Sequence, residues 1–138
     1  MISSITSKGI EAQLKAELRA NELGYIVSKP TTDCCRYDMI LDDGKKLKRI
    51  QVKYCDRKQS GANGSIALSL RKFSLNKKER PYYTKDEIDA IIVYVKPIEK
   101  LCYLDIDIIE KKSSITLRYE LPKNNQGKNI YLVDDYLW

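Results

Sequence analysis

The chain has 138 residues, of which 43% are hydrophobic and 32% charged, with a formal net charge of +6. That length suits one compact domain and is short for two, while the basic balance is compatible with binding nucleic acid or an anionic membrane surface. There is no histidine, which excludes Ser-His-Asp and Cys-His catalysis, histidine-based zinc hydrolysis and a histidine general base.

Any acid–base or metal chemistry therefore falls to carboxylates, amides, lysines and tyrosines. No apolar stretch approaches the roughly 18 residues of a membrane-spanning helix. The N-terminus has no basic segment followed by an apolar run, so a cytoplasmic protein without membrane association is expected. Cys34, Cys35, Cys55 and Cys102 contain no C-x-x-C pair, which argues against a zinc ribbon and for free thiols.

In chain order, residues 5–23 read as a helix. Ile10, Leu14 and Leu18 recur every four residues as its expected buried stripe, with Ala12, Ala16 and Ala20 adding helix propensity. Thr6 or Ser7 is the expected cap and Gly24 the expected stop. Residues 25–29 form a short strand ended by Pro30, and residues 36–41 and 47–55 form two more, joined by Asp42-Asp43-Gly44-Lys45 as an antiparallel hairpin. Residues 56–64 read as a polar loop and 65–70 as a strand, followed by a strongly basic stretch, 71–80. A helical turn is expected within 82–87, and the apolar run 90–95 reads as a buried strand with 101–104 as its hairpin partner. A short helix near 106–111 and strands near 115–119 and 130–133 complete the chain. Tyr131, Tyr136, Leu137 and Trp138 make the last residues apolar enough to pack in the core or in an interface.

The residues that stand out lie on the hairpin. Strand side chains alternate between faces, so Arg49, Gln51 and Lys53 share one face, with Ile50, Val52 and Tyr54 on the other. Unpaired polar groups are costly to bury, so the first face is either wet or holds a site. Asp38, in an otherwise apolar strand, is spaced to return to the level of Gln51. An ion pair of Asp38 with Arg36, Arg49 or Lys53 is the competing reading. Glu11 lies at the edge of the helical stripe.

The pattern of Lys8-Gly9 with Glu11, then Asp38, then Gln51-Val52-Lys53 resembles the PD-(D/E)XK nuclease superfamily. Within it, the spacing is most similar to that of intron-encoded homing endonucleases, and less so to archaeal Holliday-junction resolvases. Residues 83–89 resemble the family more loosely, where a tyrosine and an aspartate often open a core strand. Two positions depart from its pattern: Tyr37 precedes the aspartate in place of proline, and Gln51 stands where an acidic residue is usual.

The resemblance implies an α/β, restriction-endonuclease-like core in which an N-terminal helix is followed by a mixed sheet with a central catalytic hairpin. It implies hydrolysis of phosphodiester bonds in double-stranded DNA with Mg²⁺, for which Mn²⁺ can substitute. Asp38, the Gln51 carbonyl, the Val52 main-chain carbonyl and Glu11 would hold the metal, since hard cations prefer oxygen ligands. Lys53 would orient or deprotonate the attacking water, or offset charge on the phosphate. Lys8 and Arg36 are candidate phosphate contacts; Arg57, Lys58, Gln59, Asn63, Arg71 and Lys72 form a polar basic segment suited to DNA. Cutting two strands with one site per chain implies a homo-oligomer, a dimer or tetramer. A junction resolvase and a catalytically inert DNA-binding module of the same fold are the competing functions.

Overall fold

The computed structural model describes residues 1–57, 64–71, 81–120 and 130–138. Helix α1 spans Ser4–Glu22. It begins one turn before the expected caps because Ser3 Oγ accepts from the Thr6 N–H at 3.2 Å, and Gly24 follows it at a φ of +84°, a left-handed conformation open to glycine. Strands β1 (Ile26–Ser28), β2 (Met39–Asp42), β3 (Leu47–Cys55), β5 (Ala90–Val95) and β6 (Lys100–Asp105) form one mixed sheet in the order β1-β2-β3-β5-β6. A second, three-stranded sheet has the order β4-β7-β8, from Ser65–Ser69, Ser114–Arg118 and Ile130–Leu132. A short helix α2, Ile106–Ile109, follows β6.

The expected hairpin is present. β2 and β3 are antiparallel, with Met39 opposite Ile50 and Asp42 opposite Leu47. Their turn is closed by carboxylate acceptors: Asp42 takes the Gly44 N–H and Asp43 takes those of Lys45 and Lys46, with Gly44 at a φ of +83°. β5 runs parallel to β3 and pairs antiparallel with β6. Strand β2 starts three residues later than expected, and Asp38 lies just before it, donating its N–H to Ile50 O at 2.8 Å.

The five-stranded sheet is covered on both faces. On one, Met39, Leu41, Ile50, Ala90 and Ile92 pack against Ala16 and Ala20 of α1. On the other, Cys55, Ile91, Val93, Val95, Cys102 and Leu104 join residues of the second sheet, including Ile66, Leu68, Ile115 and Leu117. The helix therefore rests on its alanines rather than on the expected stripe. Ala12, Ala16 and Ala20 are at most 1% exposed, whereas Ile10, Leu14 and Leu18 are 45%, 60% and 58% exposed. Small side chains let the helix lie close to the sheet, and the same 3.6-residue period turns the larger residues outward.

The C-terminal residues pack against this core. Tyr103 N–H donates to Tyr136 O and Trp138 N–H to Leu101 O, and the Trp138 ring lies 6.3 Å from Tyr25 and 6.4 Å from Tyr103. No described helix is long and apolar enough to cross a membrane.

Candidate active site

Pairing of β2 with β3 brings Asp38 level with the middle of β3, on the face away from α1. There Gln51 Nε2 donates to Asp38 Oδ2 at 2.8 Å and to Val52 O at 3.4 Å, and the Val52 N–H donates to the same Asp38 oxygen at 2.8 Å. Lys53 lies on this face of β3 as alternation requires. Its Nζ sits 5.4 Å from the centroid of the Tyr83 ring. The cluster opens onto a cleft of about 370 Å³ that runs along Gln51–Arg57 and is walled opposite by Ala67, Leu68 and Ser69 of β4.

Burial sets the electrostatics. It pushes the Asp38 carboxyl above the usual carboxylate range, opposed by the Val52 N–H and by Lys53. It pulls the Lys53 ammonium below the usual lysine range, opposed first by Asp38. It raises the Tyr83 phenol to about 12, with the Asp38 charge adding to the effect. Two groups of opposite charge are thus both desolvated and partly compensate each other, a pattern that recurs at functional sites.

A family model for the PD-(D/E)XK endonuclease matches residues 4–138. The chain belongs to the PD-(D/E)XK endonuclease family. Its fold is similar to that of a bacterial homing endonuclease, I-Ssp6803I, with a TM-score of 0.79 and 25% identity over 98% of this chain and 89% of that one. It is also similar to Hjc of Archaeoglobus fulgidus, a Holliday junction resolvase, with a TM-score of 0.50 and 12% identity over 80% of this chain and 84% of that one. Comparison with curated proteins gives no match. The α/β architecture expected for the family, a helix followed by a mixed sheet with a central hairpin, is the one observed.

Within this PD-(D/E)XK domain, Asp38, Gln51, Val52 and Lys53 come together and Glu11 does not join them. Helix α1 covers the opposite face of the sheet, and Glu11 Oε1 is taken by Lys96 Nζ at 2.6 Å, just beyond the end of β5. Glu11, expected at the metal site, is in this arrangement paired with Lys96. Lys8 is likewise on that side, 2.6 Å from Asp56 and over the Tyr54 ring. Arg36 is half-buried and acts on Tyr83 electrostatically, so it borders the site. Arg57 lines the cleft; Arg71 is exposed and bridges to Tyr82. Lys58, Gln59, Asn63 and Lys72 lie outside the described residues.

Two contacts beside the cluster differ from or add to those expected. Arg49, expected as a possible partner of Asp38, instead forks onto Asp89, with Nε to Oδ2 and Nη2 to Oδ1 both at 3.1 Å. Tyr83 was legible only as part of the loose resemblance over residues 83–89. Nothing local in the sequence signals that its ring faces a lysine thirty positions away.

Proposed function

We propose that this nuclease-family chain is a divalent-metal-dependent endonuclease that hydrolyses phosphodiester bonds at a specific site in double-stranded DNA. The observation that carries the reading is the convergence of Asp38, Gln51 and the Val52 carbonyl around one point, with Lys53 on the same strand face. The similarity to a homing endonuclease along almost the whole chain supports the site-specific duplex as substrate.

The donor set fits a hard cation. Among the described residues no group of three or more Asp, Glu, His or Cys side chains is placed to hold a metal, so the ligands must include an amide and a main-chain oxygen. The Gln51 NH₂ group bridges the Asp38 carboxylate and the Val52 carbonyl. It does with two N–H donors what a cation would do with its charge. Rotating the amide by half a turn presents Oε1 there instead, giving three oxygens of the kind Mg²⁺ or Mn²⁺ accepts. Such a metal supplies charge neutralisation at the scissile phosphate and a bound water of lowered pKa.

The chain's own residues have separate tasks. Asp38 supplies the charged ligand and is held in orientation by the Val52 N–H. Lys53 places a desolvated cation beside the phosphate, where it offsets developing charge and orients the attacking water. Arg57 and Arg36, which border the cluster, would contact flanking phosphates. Cleavage of both strands requires two such clusters, so the active species is a homo-oligomer, and the outward Ile10, Leu14 and Leu18 of α1 offer a second copy an apolar face.

The test is cleavage of supercoiled plasmid DNA carrying the protein's own genomic neighbourhood, with Mg²⁺, Mn²⁺ or EDTA. Metal-dependent cutting by the wild type, lost in both Asp38→Ala and Lys53→Ala, is the expected result. Cutting of an immobile four-way junction in preference to linear duplex would replace the site-specific reading with a resolvase. Tight DNA binding without cutting in any metal would leave a binding module.

A further inference from the structure

Lys53 brings its cation to the cluster on a flexible four-carbon stem, and an ammonium is a point charge with no preferred direction of its own. Something must aim it. The ring of Tyr83 lies 5.4 Å from Nζ, and Tyr83 is only 5% exposed. The contact is therefore made away from bulk water, where an aromatic face holds a cation more strongly than it does at a surface.

The ring is itself held in place. Tyr83 O accepts from the Lys111 N–H at 3.4 Å, and the turn that follows is closed by Glu87 and Ile88 donating to Thr84 O. Arg49 grips the same turn from β3. Its Nη2 donates to Lys85 O at 2.8 Å and its Nη1 to Asp86 O at 2.5 Å, while the Arg49 N–H and guanidinium bind the Asp89 carboxylate that ends the turn. Arg49 and Lys53 project from the same face of one strand. The turn is thus tied to β3 by Arg49 and meets β3 again where the Tyr83 ring touches Lys53.

We propose that Tyr83 is a positioning residue: its ring fixes the Lys53 ammonium on the Asp38–Gln51 face of β3, and Arg49 holds the turn that presents the ring. The catalytic consequence rests on the nuclease reading above; the contact itself does not. The contact with Lys53 Nζ is made by the aromatic ring, which phenylalanine keeps and leucine, without a π-face, does not.

Two measurements on the full chain test this. The first is the NMR shift of the Lys53 ε-CH₂ group, which a ring at this distance shields. Shielding is expected in wild type and in Tyr83→Phe, and its loss is expected in Tyr83→Leu and in Arg49→Met, where Tyr83 is intact but its turn is released. The second is single-turnover cleavage of the plasmid substrate with Mg²⁺. Tyr83→Phe stays within about threefold of wild type, whereas Tyr83→Leu and Arg49→Met lose about tenfold to a hundredfold in rate with DNA binding nearly unchanged, the scale of a misplaced catalytic group. An unshielded Lys53 in the wild type overturns the inference. So does a Tyr83→Leu variant that cuts at the wild-type rate, or a Phe variant that fails as badly as the Leu one. A wild type that shows the shielding and cuts no DNA overturns the nuclease reading instead, and removes the catalytic role while the contact stands.

Discussion

Gln51 and Asp38 are joined side chain to side chain at 2.8 Å across the hairpin, with the amide donating and the carboxylate accepting. The acidic residue usual at this position in the family could not make that bond; two carboxylates would repel. Glutamine makes the pair self-satisfied without metal.

Gln51→Glu should reverse that balance. In EDTA the variant loses about 1 to 2 kcal/mol of stability, because a hydrogen bond becomes a like-charge contact. With Mg²⁺ it gains more than the wild type does, because ligand binding to the folded state alone raises stability by mass action. Thermal melts across a Mg²⁺ titration measure both, with half-saturation expected at about tenfold lower metal. Equal Mg²⁺ responses in the two proteins would show that Gln51 is no ligand.

The Arg49–Asp89 pair predicts a pH dependence. Hydrogen bonding from the guanidinium, with help from the Arg49 N–H and its charge, holds the Asp89 carboxyl below its ordinary value of 3.8. A folded-state pKa lowered in this way contributes stability above pH 3.8 that is lost as the pH falls through the lower folded value. Asp89→Asn should therefore cost about 1 kcal/mol at pH 7, modest because both side chains are about a third exposed. Melting curves of the two proteins should converge as the pH drops below 3.8, and a constant gap down to pH 2 would contradict the assignment.

Helix α1 predicts opposite responses on its two faces. Ala16 is fully buried against the sheet, so Ala16→Leu overpacks the interface and costs about 1 to 3 kcal/mol or more. Leu14→Ala, on the outward stripe, should change the stability of the isolated chain by less than about 0.5 kcal/mol. Chemical denaturation of the two variants distinguishes this arrangement from one in which the leucines face the core.

The same stripe is the face proposed to carry the oligomer. Leu14→Glu combined with Leu18→Glu puts charges where a second copy would pack, so light scattering should report a monomer for the double variant and a dimer or larger for the wild type. Double-strand cutting should then give way to nicking. A wild type that stays monomeric with and without DNA would rule the oligomer out.

Much of the site was legible in the sequence because it is built from local rules. An Asp-Gly turn between two strands sets an antiparallel hairpin, two-residue alternation puts Gln51 and Lys53 on one face, and hairpin geometry returns Asp38 to their level. None of these requires knowledge of what packs above or below. The apolar run at 90–95 likewise announced a strand buried on both faces.

Tertiary packing decided what periodicity leaves open. The four-residue spacing of Ile10, Leu14 and Leu18 marked a stripe, but an equally regular alanine stripe runs along the opposite side. The sheet took the alanines because they allow the closer approach. With the alanines inward, Glu11 pairs with Lys96. The parallel pairing of β3 with β5, the Arg49–Asp89 fork and the Tyr83 ring over Lys53 are contacts between segments thirty to forty residues apart, and a sequence read along its length holds no term for them. The hairpin was written in its own residues; its surroundings came from the fold.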